Sequence, residues 1–201
     1  MEAHNKLTAN SGTKLVDPGS YRRLVGRLLY LTISRLDICY YVHKLSQFVS
    51  NPCTNHMHAA NMLLWYLKNT ASQGILFRAN SDTKLHAYVD ADWGSCPESK
   101  RSTTEFCIFL ENFLISWKAK RQKTVSRSST KVEYRSLTSV SSEITWIRNL
   151  LTNFNVRIPF AAVYCDNQAA IHIASNPTFH ERTKQLEIDL HFVRENVSQG
   201  V

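Results

Sequence analysis

Residues 87 to 96 read AYVDADWGSC, an apolar strand-like run that ends at Asp90 and Asp92 and passes straight into Trp93 and Gly94. An aspartate at the carboxyl end of a strand commonly accepts hydrogen bonds from the following turn and does nothing else. Asp90 therefore gains meaning only if the fold delivers other acidic groups to the same place. Asp92 is expected in the loop beyond the strand, turned away from Asp90.

Around this run the sequence is β-rich: GILFR precedes KLHAYVDA, and EFCIFLEN and FLISWKAKR follow, with a tight turn at Glu111 and Asn112. Residues 128 to 154 then carry Val132, Leu137, Val140, Ile144, Ile147, Leu150 and Leu151 at helical spacing. AVYCD is expected as a buried strand, NQAAIHIAS as a short helix and KQLEIDLHFVREN as another. Strands in meander order, a long helix, a strand and two helices predict an α/β layer with a mixed sheet.

Residues 1 to 75 read differently. Leu24, Leu28 and Leu31 form one helical stripe after the turn signal DPGS, and Ile38, Tyr41, Val42, Leu45, Phe48 and Val49 a second that stops at Asn51-Pro52. A third helix is expected from Thr54, as N-cap, to about Lys68. The chain thus divides into a small helical segment, 1–75, and an α/β domain, 76–201.

Composition narrows the function classes. With 43% hydrophobic and 20% charged residues, the 201-residue chain has enough apolar material for an ordinary core. Its five cysteines are odd in number and scattered, with no CxxC, and MEAHNKLTAN is no signal peptide, so free thiols in a reducing intracellular compartment are expected. No apolar run reaches the ~18 residues of a membrane span. A formal charge of +8 favours an acidic partner, most simply a nucleic acid. A glycine-rich phosphate loop is missing, which leaves nucleotide hydrolysis without support.

Three acidic residues fall at structurally comparable places. Asp90 ends the first strand, Glu133 lies in the first turns of the long helix, and Asp166 ends AVYCD. Carboxyl ends of adjacent strands in an open α/β sheet share one crevice. Carboxylates gathered there raise one another's pKa and are best tolerated around a hard cation such as Mg²⁺. Each residue also has a bland reading, a turn acceptor for the aspartates and a helix-dipole partner for Glu133.

YVDADWGSC, RSTTEFCIFL, LISWKAKRQKTVSRSSTKVEYRSL, YCDNQAAIHIASNP and FHERTKQLEIDLHFVRE together resemble the ribonuclease H domain of copia-type retrotransposon Pol polyproteins, particularly those of plants. YRRLVGRLLYLTISRLDICYYVHKLSQF and HMHAANMLLWYLKNT resemble the end of the reverse transcriptase that precedes it. The resemblance covers nearly the whole chain. It implies a ribonuclease H-like mixed sheet with flanking helices, and Mg²⁺-dependent cleavage of the RNA strand of RNA-DNA hybrids, with two Mg²⁺ ions and Mn²⁺ as a substitute. It also implies that Asp90 bridges both ions, Glu133 holds one and Asp166 the other, with the remainder of the polyprotein as partner and no small-molecule cofactor. The location implied is intracellular, in a cytoplasmic particle or the nucleus.

Departures from the family pattern temper the expected activity. The family's fourth carboxylate lies on a helix after one more strand, and the sequence stops at VRENVSQGV, so a fragment bounded at both ends is expected, weak or inactive as an enzyme. Leu36, Lys131 and Gln185 replace a usual proline, acid and histidine, and Glu105 and Glu111 stand where glycines are usual. The alternative is a non-catalytic nucleic-acid-binding or domesticated interaction fragment.

For nucleic acid the sequence offers Lys118, Lys120, Arg121, Lys123 and Arg127, a cationic run without an acid. Ser126, Ser128 and Ser129 are expected hydroxyl partners for 2′-OH groups, and Asn167 is expected to orient Asp166 or touch the substrate backbone. His56, His58, His180 and His191 are expected to be structural, and Trp65, Trp93, Trp117 and Trp146 to be core or edge residues.

Overall fold

The structure is a computed structural model that describes residues 7–76, 83–96, 98–158, 160–176 and 184–198. The chain forms two compact units, Met1–Leu76 and Phe77–Val201.

The first unit is helical. Helix α1 spans Pro18–Leu31, begins with proline at its first position and is capped by Asp17, whose carboxylate accepts from Gly19 N–H at 2.8 Å. A 3-10 turn, Leu36–Ile38, leads into α2, Cys39–Ser46, and α3 spans Thr54–Asn69. Their apolar stripes meet in a core of Tyr21, Val25, Leu28, Val42, Leu45, Ala60 and Leu63. The cap of α3 is Cys53, one residue before the expected Thr54. His56, fully buried, accepts the Cys53 N–H on Nδ1 at 2.9 Å, lies 2.9 Å from the Thr8 carbonyl through Nε2, and stacks on Phe48.

The second unit carries the sheet. Strands β1 (Leu85–Asp92), β2 (Thr103–Leu110) and β3 (Phe113–Arg121) form an antiparallel meander. Helix α4 (Ser129–Asn153) follows, and β4 (Ala161–Tyr164) then pairs parallel with β1, giving the order β3-β2-β1-β4. Helices α5 (Gln168–Ser175) and α6 (Lys184–Ser198) complete the described residues. The result is a four-stranded mixed sheet with flanking helices, the α/β layer expected from the order of elements.

Alternation along β1 sorts the two faces. Leu85, Ala87 and Val89 are buried with Phe106, Ile108 and the inward stripe of α4 (Val140, Ile144, Ile147), and Ala170 and Val193 extend this core to α5 and α6. On the opposite face Tyr88 stacks on Tyr164 at 5.1 Å and His86 on Phe109 at 5.2 Å, with both tyrosines about half exposed.

Several sequence expectations are corrected here. β1 continues through Asp92, which pairs with Thr103, so Asp90 and Asp92 lie two apart on one strand and share a face. Gly74–Leu76 of GILFR form no strand, and the rest of that run lies outside the described residues. β4 is only half-buried, because just Ala161 is covered. Trp65, Trp93 and Trp146 are more than half exposed. His180 lies outside the described residues.

Candidate metal centre and nucleic-acid interface

Three devices pin the first turns of α4 above the strand ends. Thr104 on β2 shares a hydroxyl hydrogen bond with Ser136 at 2.9 Å. The Gln122 amide, just after β3, donates to Thr104 Oγ1 at 3.0 Å and to the Val132 carbonyl at 3.1 Å. Trp93 Nε1–H donates to the Ser126 carbonyl, tying the loop after β1 to the segment that enters α4. Glu133, one residue beyond Val132, is thereby held at the crevice, only 7% exposed.

Directly after β4 come Cys165 and Asp166. The Asn167 side-chain oxygen caps α5 by accepting Ala170 N–H at 2.9 Å, which fixes the turn these two residues occupy. One donor atom from each of Glu133, Cys165 and Asp166 lies within 4.8 Å of the others. Asp90 stands outside this tightest group, with its carboxylate accepting the Ala91 N–H, yet its charge reaches Glu133.

The electrostatics follow from that packing. Burial, then the charges of Asp90 and Asp166, push the Glu133 carboxyl up to about 7. Its Oε2 is buried without a hydrogen-bond partner. Burial first, partly offset by the Asn167 N–H, and then the negative charges of Glu133, Asp166 and Asp90 raise the Cys165 thiol. Across the ladder from Asp90, Glu105 is raised by burial and by Asp90 and Asp92. An orphaned buried carboxylate oxygen among further acids suits a divalent cation, which would satisfy the oxygen and offset the repulsion.

The cationic run divides by strand geometry. Lys118 turns toward α4, where its ammonium donates to Ser139 Oγ at 3.3 Å and sits over the Phe106 ring. Arg121 faces the other side and donates to Cys96 Sγ at 3.3 Å. Although burial opposes it, that contact, the Ser99 hydroxyl and N–H, and the Glu98 N–H bring the Cys96 thiol down to about 7. Lys120, Lys123 and Arg127 are exposed. Ser128 is the N-cap residue of α4, half-buried, while Ser126 is buried with its hydroxyl spent on the Ser128 carbonyl and is withdrawn as a 2′-OH partner.

Comparison with known proteins places these observations in a lineage. Over all 201 residues the chain is 45% identical to the retrovirus-related Pol polyprotein from transposon RE1 of Arabidopsis thaliana, and 43% identical to that of transposon RE2. This chain belongs to the Pol polyproteins of copia-type plant transposons. It spans 14% of the length of each of those two relatives. No protein-family model matches. Among solved structures, the N-terminal ribonuclease H domain of a Mycobacterium tuberculosis protein aligns over 58% of this chain and 77% of its own, with TM-score 0.40 and 13% identity.

Within this Pol segment, sequence reasoning passed over Glu105 and Cys165 as site residues. Glu105 becomes visible once the β1–β2 register is known. Cys165 was visible as the neighbour of Asp166, but strand alternation argues against two successive residues sharing a site. They do so because β4 ends at Tyr164 and alternation ends with it.

Proposed function

We propose that the second unit is a divalent-cation-dependent ribonuclease that cleaves the RNA strand of RNA-DNA hybrids within a retrotransposon Pol polyprotein. The observation that carries this reading is the Glu133 carboxylate, buried with an unpartnered oxygen and under the charges of Asp90 and Asp166. Family membership supports the substrate class. Mg²⁺, or Mn²⁺ in its place, supplies activation of water and charge stabilisation at the leaving oxygen when bound. Asp90, Glu133 and Asp166 would hold the ions. Asn167 fixes the turn that presents Asp166, and the exposed cations Lys120, Lys123 and Arg127 meet the phosphates.

The test is single-turnover cleavage of an end-labelled hybrid in Mg²⁺ and in Mn²⁺. Asp90→Asn and Glu133→Gln should each abolish whatever cleavage the parent chain shows, because an amide cannot offset a divalent charge. Asp92→Asn, on the same face but at the end of the strand, should reduce it far less. Equal rates for Asp90→Asn and its parent overturn the reading, and so does hybrid binding without cleavage in either metal.

A further inference from the structure

We propose that Glu133, Cys165 and Asp166 form a binding site for a thiophilic divalent cation of the zinc class, distinct in its ligand set from the all-carboxylate arrangement proposed for Mg²⁺. Geometry is the first support: the three donor atoms already lie within 4.8 Å of one another. Zinc–oxygen and zinc–sulfur bonds of about 2.0–2.3 Å in a tetrahedron separate ligand atoms by about 3.5 Å. Closing from that limit to tetrahedral spacing takes side-chain shifts of about 1 Å.

The second support is independent of the cluster's composition. Glu133 is 93% buried, its residual exposure being 7%, and its Oε2 has no hydrogen-bond partner. Such an oxygen pays the full desolvation cost unless a cation or a donor meets it. Cys165 decides which cation. A thiolate is a poor ligand for Mg²⁺, which demands oxygen donors, and a strong one for zinc-class ions.

On binding, the thiol proton leaves to solvent as the metal–sulfur bond forms, and the fourth position is left to water, the arrangement of an open zinc site. Asp90 is not among the ligands. Because Glu133 and Asp166 are shared, zinc occupancy excludes the magnesium arrangement and acts as an inhibitor of it. The inference does not rest on the ribonuclease reading, since metal binding itself is measured.

Co²⁺ serves as the spectroscopic probe for zinc. Titrated into the whole chain, one equivalent should produce a near-ultraviolet thiolate-to-cobalt charge-transfer band, bleached by one equivalent of Zn²⁺ and left intact by about a thousandfold excess of Mg²⁺. Cys165→Ser should lose the band, whereas Asp90→Asn should keep it. In the unmutated chain, Zn²⁺ should slow alkylation of Cys165 and not that of Cys107, read by peptide mass mapping. A band that survives Cys165→Ser, or alkylation of Cys165 unaffected by Zn²⁺, overturns the site whatever the cleavage assay shows.

Discussion

Asp90 on β1 and Glu105 on β2 are direct cross-strand partners, so two carboxylates occupy one position of the ladder. Like charges placed opposite each other destabilise a sheet by a few tenths to about 1 kcal/mol. Burial and the charges of Asp90 and Asp92 raise the Glu105 carboxyl, the expected signature of that conflict. Glu105→Gln should stabilise the metal-free chain by about 0.5 kcal/mol at pH 8 and by less at pH 4, where the raised Glu105 carboxyl is largely protonated. Urea denaturation at the two pH values measures the difference.

Glu133 makes stability depend on pH in a predictable direction. Its carboxyl is raised from 4.5 to about 7, so between those values the folded chain binds more protons than the unfolded chain. The contribution of protonated Glu133 is intact below pH 4.5 and is lost as pH rises through 7, up to about 3 kcal/mol. Hydrogen exchange of α4 amides across pH 5 to 8 should show the decline, and Glu133→Gln should flatten it. Divalent cations should protect most at the alkaline end, where the carboxylate is charged.

How much of this was legible in the sequence divides along physical lines. The long helix, and the placing of Asp90 and Asp166 at the carboxyl-end side of β1 and β4, follow from period and order, although β1 runs on to Asp92 and β4 stops at Tyr164. Glu105 and the shared face of Asp90 and Asp92 needed the register, which places Asp92 against Thr103. Lys118 looked like a solvent cation in the sequence, but its strand position faces α4, where Ser139 and Phe106 engage it. Exposed Trp93 is anchored by one hydrogen bond to the Ser126 carbonyl, a long-range contact that no periodicity encodes.

Arg35 is the polar centre of the first unit. Its guanidinium donates from Nε and Nη2 to Asp37 at 2.9 and 2.7 Å, and from Nη1 to the Thr70 carbonyl at 2.9 Å, while the residue is 7% exposed. Tyr66 donates to the same Asp37 carboxylate. Arg35→Ala should cost about 3 kcal/mol, since it strands Asp37 and opens the end of α3. Arg35→Lys should recover only part of it, because an ammonium cannot make the bidentate pair. Amide exchange at residues 66 to 73 reports the loss.

Glu111 sits at φ 53° in the β2–β3 turn, a left-handed conformation that strains a side-chain-bearing residue. Replacing it by glycine relieves about 1 kcal/mol, reduced by the greater freedom of glycine in the unfolded chain. Glu111→Gly should therefore raise stability by about 0.5 kcal/mol, seen as a higher denaturation midpoint with an unchanged slope.

The cations near the end of β3 divide into those open to phosphate and those that hold the fold. Lys120, Lys123 and Arg127 are exposed, whereas Lys118 is engaged by α4 and Arg121 by Cys96. If the exposed three meet an RNA-DNA hybrid, each contact adds about 0.7 to 0.9 to the slope of log K against log salt. Replacing all three with alanine should flatten the slope by about 2 without lowering the melting temperature. Lys118→Ala should do the reverse, lowering stability through the lost Ser139 and Phe106 contacts and leaving the salt slope unchanged. A salt slope that responds to Lys118 and ignores the other three would overturn this division of the cations.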